Sequence, residues 1–109
     1  MAHHIVHELV EKKGENIILL DVHEITSFTD YFILCTGTST RMLLALAHTV
    51  MEKTKGEYMT TNRLEGKPES GWIVLDYGSI VVHLMDEELR NFYKIEELWQ
   101  DGRIVLRML

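Results

Sequence analysis

Cysteine is almost absent. Cys35 is the only one in 109 residues, which rules out an intramolecular disulfide and any metal site built on thiolates. It falls in the apolar run Phe32-Ile33-Leu34-Cys35, where a buried and inert thiol is expected. Proline also occurs once, at Pro68, inside a polar stretch over 58–71 that reads as one short strand plus loop. No apolar run approaches the roughly 20 residues that span a bilayer. The first residues carry no signal-peptide hydrophobic stretch either, so a cytosolic, cytoplasmic location is expected. Basic residues are outnumbered, 11 Lys and Arg against 17 Asp and Glu, for a formal net charge of -6. Phosphate backbones are bound mainly through Lys and Arg, so direct nucleic-acid recognition is not expected. The same charge favours encounter with a basic protein surface.

What is present is an ordinary globular mixture, 46% hydrophobic and 26% charged, in a length that suits a single domain over 1–109. Such a chain buries one modest core, and a deep enclosed active site would compete with it for side chains. Neither repeats nor low-complexity tracts interrupt it.

Residues 2–13 read as a helix with Ile5, Val6 and Leu9 on its apolar side and Gly14 at its end. The runs 17–22 and 31–36 read as strands, and their near-continuous apolarity predicts burial on both faces. A turn-prone stretch over 26–30 separates them. Ser39 caps a second helix over 40–55, with Gly56 just past its end and Leu43, Ala47, Val50 and Met51 at helical spacing. Asp86 caps a short helix over 87–93, followed by an extended tail. Helices interleaved with strand pairs give an α/β fold class: a compact domain with a mixed β-sheet flanked by helices.

The clearest local signal is a hairpin. Residues 72–76 and 79–85 flank Tyr77-Gly78, with glycine supplying the permissive turn position. A two-residue loop there pairs Asp76 with Ser79, Leu75 with Ile80, Val74 with Val81, Ile73 with Val82 and Trp72 with His83. Alternation then puts Ile73, Leu75, Ile80, Val82 and Leu84 on a core face. The opposite face holds Trp72, Val74, Asp76, Ser79, Val81, His83 and Met85. Tryptophan, methionine and a few polar groups on one flat patch have the composition of a protein-binding surface. A one-residue error of register would exchange the two faces.

Several segments, taken in order, resemble one known family. They are Asp30-Tyr31-Phe32-Ile33, Thr36-Gly37-Thr38-Ser39 with Arg41, Glu65-Gly66, the run from Trp72 to Gly78, the run from Val81 to Met85, and Glu88, Arg90, Tyr93, Glu96, Leu98 and Trp99 at their spacing. Together they are similar to the Iojap or ribosomal silencing factor (RsfS) family across residues 17–99. The resemblance implies a non-enzymatic, cofactor-free α/β protein similar in fold to nucleotidyltransferases, a homodimer when free. It further implies a translation repressor. Such a protein binds ribosomal protein L-fourteen on the intersubunit face of the large ribosomal subunit and keeps the small subunit away by bulk alone. By motif match the partner-binding positions are Trp72, Asp76, Tyr77, His83 and Met85, with Trp72 the expected anchor. The chain departs from the family pattern at Met42, where many members have His, and at His48 and Ser79, where Asp is common. Ser79 matters most, because it removes a negative charge beside the turn.

The rival reading is a catalytic or nucleotide-binding nucleotidyltransferase-like protein, in which Gly37-Thr38-Ser39 cradles a phosphate at a helix start. Two-metal transfer also needs clustered carboxylates, and Asp21, Asp30 and Asp76 are dispersed in sequence. A metal site at His3, His4 and His7 lacks an obvious third or fourth ligand. His83 has no nucleophile with it. No catalytic or metal residue is therefore assigned.

Overall fold

The computed structural model describes residues 2–57, 63–94 and 103–108. Its elements follow in the order α1 (Ala2–Glu11), β1 (Glu15–Asp21), β2 (Tyr31–Thr36), α2 (Thr40–Glu57), β3 (Arg63–Lys67), β4 (Trp72–Asp76), β5 (Ile80–Met85), α3 (Glu87–Tyr93) and β6 (Arg103–Met108), with a 3-10 turn at Pro68–Ser70 between β3 and β4. The six strands form one sheet in the order β3-β4-β5-β2-β1-β6. β2 and β5 run parallel, and every other neighbouring pair is antiparallel. The expected mixed sheet is therefore present. The extended tail expected after α3 includes a sixth strand, paired with β1.

The sheet is buried from both sides, as the continuous apolar runs of β1 and β2 require. On one face, Ile5, Val6 and Leu9 of α1 and Leu43, Leu46, Ala47 and Val50 of α2 join Ile17, Leu19, Ile33, Ile73, Leu75, Val82 and Leu84 in a single cluster. Truncating one of the fully buried aliphatics to alanine costs roughly 2–5 kcal/mol, the lost transfer energy plus the cavity left behind. The other face carries Ile18, Leu20, Val22, Phe32, Leu34, Val81 and Met85, with Trp72, Val74 and Leu89 packed against them.

Helix ends follow their local chemistry. Ser39 Oγ accepts from the Met42 N–H at 3.0 Å, as a cap should. α2 does not stop at Gly56 as read from sequence but continues to Glu57. Glycine costs a helix about 1 kcal/mol without forbidding it. Thr54, one turn earlier, ties α2 to the domain: its hydroxyl bonds the Val50 carbonyl at 2.8 Å and the Tyr77 hydroxyl at 2.9 Å. Asp86 caps α3 by accepting from Leu89 N–H at 2.8 Å, and its own N–H donates to the Gly71 carbonyl at 2.8 Å. Gly71 holds φ +86°, and a Cβ there would lie 2.2 Å from Asp86 Oδ2. Only glycine lets the start of β4 approach the cap of α3 this closely.

Candidate functional site

The β4–β5 hairpin does not have the register deduced from sequence. Trp72 pairs with Met85, Ile73 with Leu84, Val74 with His83, Leu75 with Val82 and Asp76 with Val81. The loop is Gly78-Ser79 rather than Tyr77-Gly78, because Tyr77 N–H still donates to the Ile80 carbonyl at 2.8 Å. Gly78 takes φ +83°, and its N–H donates to Asp76 Oδ1 at 2.8 Å. The correction shifts every pairing partner by two residues. Two is the side-chain period of a strand, so the assignment of residues to faces is unchanged.

Tyr77 is the residue that extends the ladder, and it turns inward. It is 7% exposed, within the helix-side cluster. Its hydroxyl meets Thr54 Oγ1, and since the Thr54 proton goes to the Val50 carbonyl, the phenol is the donor. A buried tyrosine needs such a partner. Tyr77 therefore lies on the opposite side of the sheet from Trp72, Asp76, His83 and Met85. The motif match expects Tyr77 at the partner-binding surface, and the fold places its ring in the helix-side core.

Met85 faces the same side as Trp72 but is 1% exposed. The helix that follows it folds back over this end of the sheet and seats Leu89 in its cluster. Met85 supports the surface from beneath rather than presenting a thioether to water. Asp76 is half-buried and is held by the turn. Ser79 is exposed at the far end of the hairpin from Trp72, and its carbonyl accepts from Asp30 and Tyr31 N–H at 3.0 Å each. Met42 packs against the helix-side core and His48 is exposed.

Trp72 and His83 form the centre of the arrangement. The indole Nε1–H donates to His83 Nδ1 at 3.2 Å. Indole can only donate, so Nδ1 must be unprotonated and the neutral ring carries its proton on Nε2. Burial pushes the imidazole down to about 4, because the charged form would lose its water. His83 is thus a neutral acceptor at physiological pH.

These two rings belong to a longer series of aromatic contacts. The His83 ring stands edge-on to Phe32 at 5.4 Å between centroids, and Phe32 meets Phe28 at 6.2 Å. On the other side His83 meets Trp72 at 5.9 Å, Trp72 meets Tyr93 at 5.2 Å, and Tyr93 meets Phe92 at 5.0 Å. Six rings run in unbroken contact across one face. The ends of the series are open to solvent: Phe28 is 63% exposed, Phe92 76% and Tyr93 46%. Large aromatics left in water beside a half-buried tryptophan are the mark of a contact surface. Two sequence signals pointed there. Phe28 stands alone in a polar turn, and Phe92-Tyr93 closes α3 where its polar side would be expected.

The residues of the rival reading are otherwise engaged. Gly37 N–H donates to the Met85 carbonyl at 3.0 Å, and Ser39 is occupied as a cap, so this turn serves the fold. Among the described residues no group of three or more His, Cys, Asp and Glu side chains could hold a metal ion. His4 and His7 lie 4.0 and 3.9 Å from Glu8 and Glu11 of their own helix. Cys35 is fully buried and burial pushes its thiol up to about 12. No helix of the described residues is long and apolar enough to cross a membrane.

Comparison with known proteins gives a consistent result. The family model described as ribosomal silencing factor during starvation matches residues 1–108. The ribosomal silencing factor RsfS of Haemophilus influenzae is 40% identical over 87 residues, 80% of this chain and 85% of that protein. A mouse protein named mitochondrial assembly of ribosomal large subunit protein 1 is 35% identical over 98 residues, 87% of this chain and 43% of its own length. The crystal structure of a Chromobacterium violaceum protein superposes with a TM-score of 0.85 at 36% identity, covering 91% of this chain and 82% of that one.

Proposed function

This chain belongs to the ribosomal silencing factor family, and from that premise we propose that it represses translation by docking on the large ribosomal subunit. The docking partner is ribosomal protein L-fourteen on the intersubunit face, and the bound domain excludes the small subunit by its volume. Occupancy alone is sufficient, so no reaction, cofactor or metal enters the mechanism.

The observation that carries this reading is the six-ring series from Phe28 to Phe92, exposed at both ends, on a chain of net charge -6. Aromatic faces attract guanidinium and ammonium groups as well as apolar surface. An acidic protein is steered toward a basic one over distances longer than any contact. Ribosomal proteins are commonly basic, and a relative is named for assembly of the large ribosomal subunit. Trp72 is the energetic anchor, with Asp76 and His83 as its polar neighbours and Phe92 and Tyr93 extending the contact. When free, the protein is a cytoplasmic homodimer. The outer strand β6, with Ile104 and Val105 exposed, is an apolar edge suited to self-association.

The test is sedimentation of the purified protein with separated subunits through a gradient, followed by a subunit-joining assay. Co-migration with the large subunit and inhibition of joining are expected. Phe92→Ala, which removes a ring that is mostly in water, should weaken co-migration without altering melting. Trp72→Ala should weaken it about 30-fold or more, as central tryptophans do. Co-migration unchanged by both variants would remove this face from the mechanism, and travel with the small subunit would end the reading.

A further inference from the structure

Asp21 closes β1 at the junction of two weakly anchored segments. It is 8% exposed, and a carboxylate taken that far out of water needs donors to hold its charge. Oδ1 accepts from the His23 N–H at 3.2 Å and meets His23 Nδ1 at 2.5 Å, while Oδ2 accepts from Arg103 Nη2 at 3.1 Å. The first two donors belong to the turn that follows β1, and the third to the first residue of β6.

Neither segment is held by much packing. Of residues 23–29 only Thr29 is buried, while Ile25 and Phe28 stand largely in water. The turn takes its order from hydrogen bonds instead. Val22 N–H donates to the Asp30 carbonyl at 2.8 Å, Ile25 and Thr26 N–H both donate to the Val22 carbonyl at 3.1 Å, and Phe28 N–H donates to Thr26 Oγ1 at 3.3 Å. β6 is an outer strand whose residues are all exposed except the half-buried Leu106. Segments with so few buried apolar contacts open at low cost in free energy.

The variable donor is His23. Around its ring stand Asp21 of β1, Glu24 of the same turn with Oε1 at 3.7 Å from Nε2, and Asp30 at the turn's far end. Arg103 of β6 faces the same carboxylate, and His3 of α1 lines the adjoining recess with Asp30 and Arg103. The hydrogen bond to Asp21 and that residue's charge raise the imidazole's proton affinity above its ordinary value, with smaller contributions from Glu24 and Asp30. Its change of charge therefore falls above pH 6.5.

We propose that Asp21, His23 and Arg103 form a proton-operated clasp that fastens the 22–30 turn and the start of β6 to the end of β1. With His23 charged, the carboxylate is matched by two cations and the clasp is closed. As pH rises and the proton leaves, the bond from Nδ1 ceases to be charge-assisted and three carboxylates face Arg103 alone, so both segments loosen. The response is graded, because the His23 side chain is half in water and solvent screens part of the attraction. Phe28, an open end of the ring series, rides on this turn. The clasp's bearing on docking rests on the function proposed above, whereas the clasp itself is read on the free chain.

The experiment follows amide hydrogen exchange of the full chain by NMR, without ribosomes, from mildly acidic to mildly alkaline pH. Each rate is corrected for the intrinsic pH dependence of exchange, and the His23 ring is titrated in the same samples. Protection at Thr26, at Phe28 and in the β6 ladder should fall about threefold as pH rises, the scale of one partly exposed charge-assisted bond, with the midpoint of the His23 ring. His23→Gln, at an exposed position that leaves the core untouched, should abolish the step. His3→Gln should leave it in place. Protection without a step, a step confined to the turn, a midpoint other than that of His23, or a step that survives His23→Gln would each overturn the proposal.

Discussion

Replacing His83 by glutamine should flatten the acid limb of this protein's stability curve. The imidazole is desolvated among Phe32 and Trp72 and titrates near 4 in the folded chain, against 6.5 for an unperturbed histidine. Its folded value is the lower one, so between these limits the unfolded chain binds the extra proton. The His83 contribution is therefore fully present above about pH 6.5 and is lost as pH falls toward 4. A displacement of this size corresponds to about 3 kcal/mol. Its cause is burial, which strips water from the charged ring. Glutamine is neutral throughout, and its carbonyl can accept the same indole N–H, so the variant keeps the contact while discarding the titration. Urea unfolding of both proteins at successive pH values from neutral to mildly acidic measures the effect. The original should lose about 3 kcal/mol more than the variant over that interval. Parallel curves would refute both the burial argument and the tautomer deduced from the indole.

Other expectations can be checked on the same material. His23 behaves oppositely: its Nδ1 lies 2.5 Å from Asp21 Oδ1, and the hydrogen bond raises its pKa. Its contribution to stability is present below about pH 6.5 and is lost as pH rises through the raised value, and NMR titration should find its midpoint falling in Asp21→Asn. Gly71→Ala should cost about 2–4 kcal/mol in urea unfolding, since a left-handed φ and a Cβ pressed on Asp86 also disturb the cap of α3. A loss below half of that would mean the contact relaxes freely. Cys35 should resist alkylation in the native protein and react on unfolding, because burial holds the thiol protonated and out of reach. Rapid native labelling would contradict the packing described.

Much of this architecture could be read from periodicity. Ile5, Val6 and Leu9 repeat as a helix face, and residues 17–22 and 31–36 are too continuously apolar for anything but doubly covered strands. The two hairpin faces were legible even though the loop was misplaced, because an error of two residues leaves alternation intact. What failed had a tertiary cause. Tyr77 looked like a turn residue until Thr54, 23 positions earlier, supplied a buried hydroxyl for it. Met85 looked exposed because nothing local announces that α3 doubles back and seats Leu89 beside it. β6 was missed because pairing with β1 joins segments more than 80 residues apart, a contact no local pattern encodes. The exposed ends of the aromatic series were visible as oddities, a phenylalanine in a polar turn and two rings closing a helix, but their convergence on Trp72 belongs to the fold.

The contact of each ring with the next has an energetic consequence for association. Side chains that swivel freely in water must surrender that freedom when a partner arrives, and the loss is subtracted from whatever the new contacts yield. Here the indole is pinned by an imidazole on one flank and a phenol ring on the other before any encounter. Little motion remains to be quenched, so a modest footprint can hold its target more tightly than its area alone would suggest.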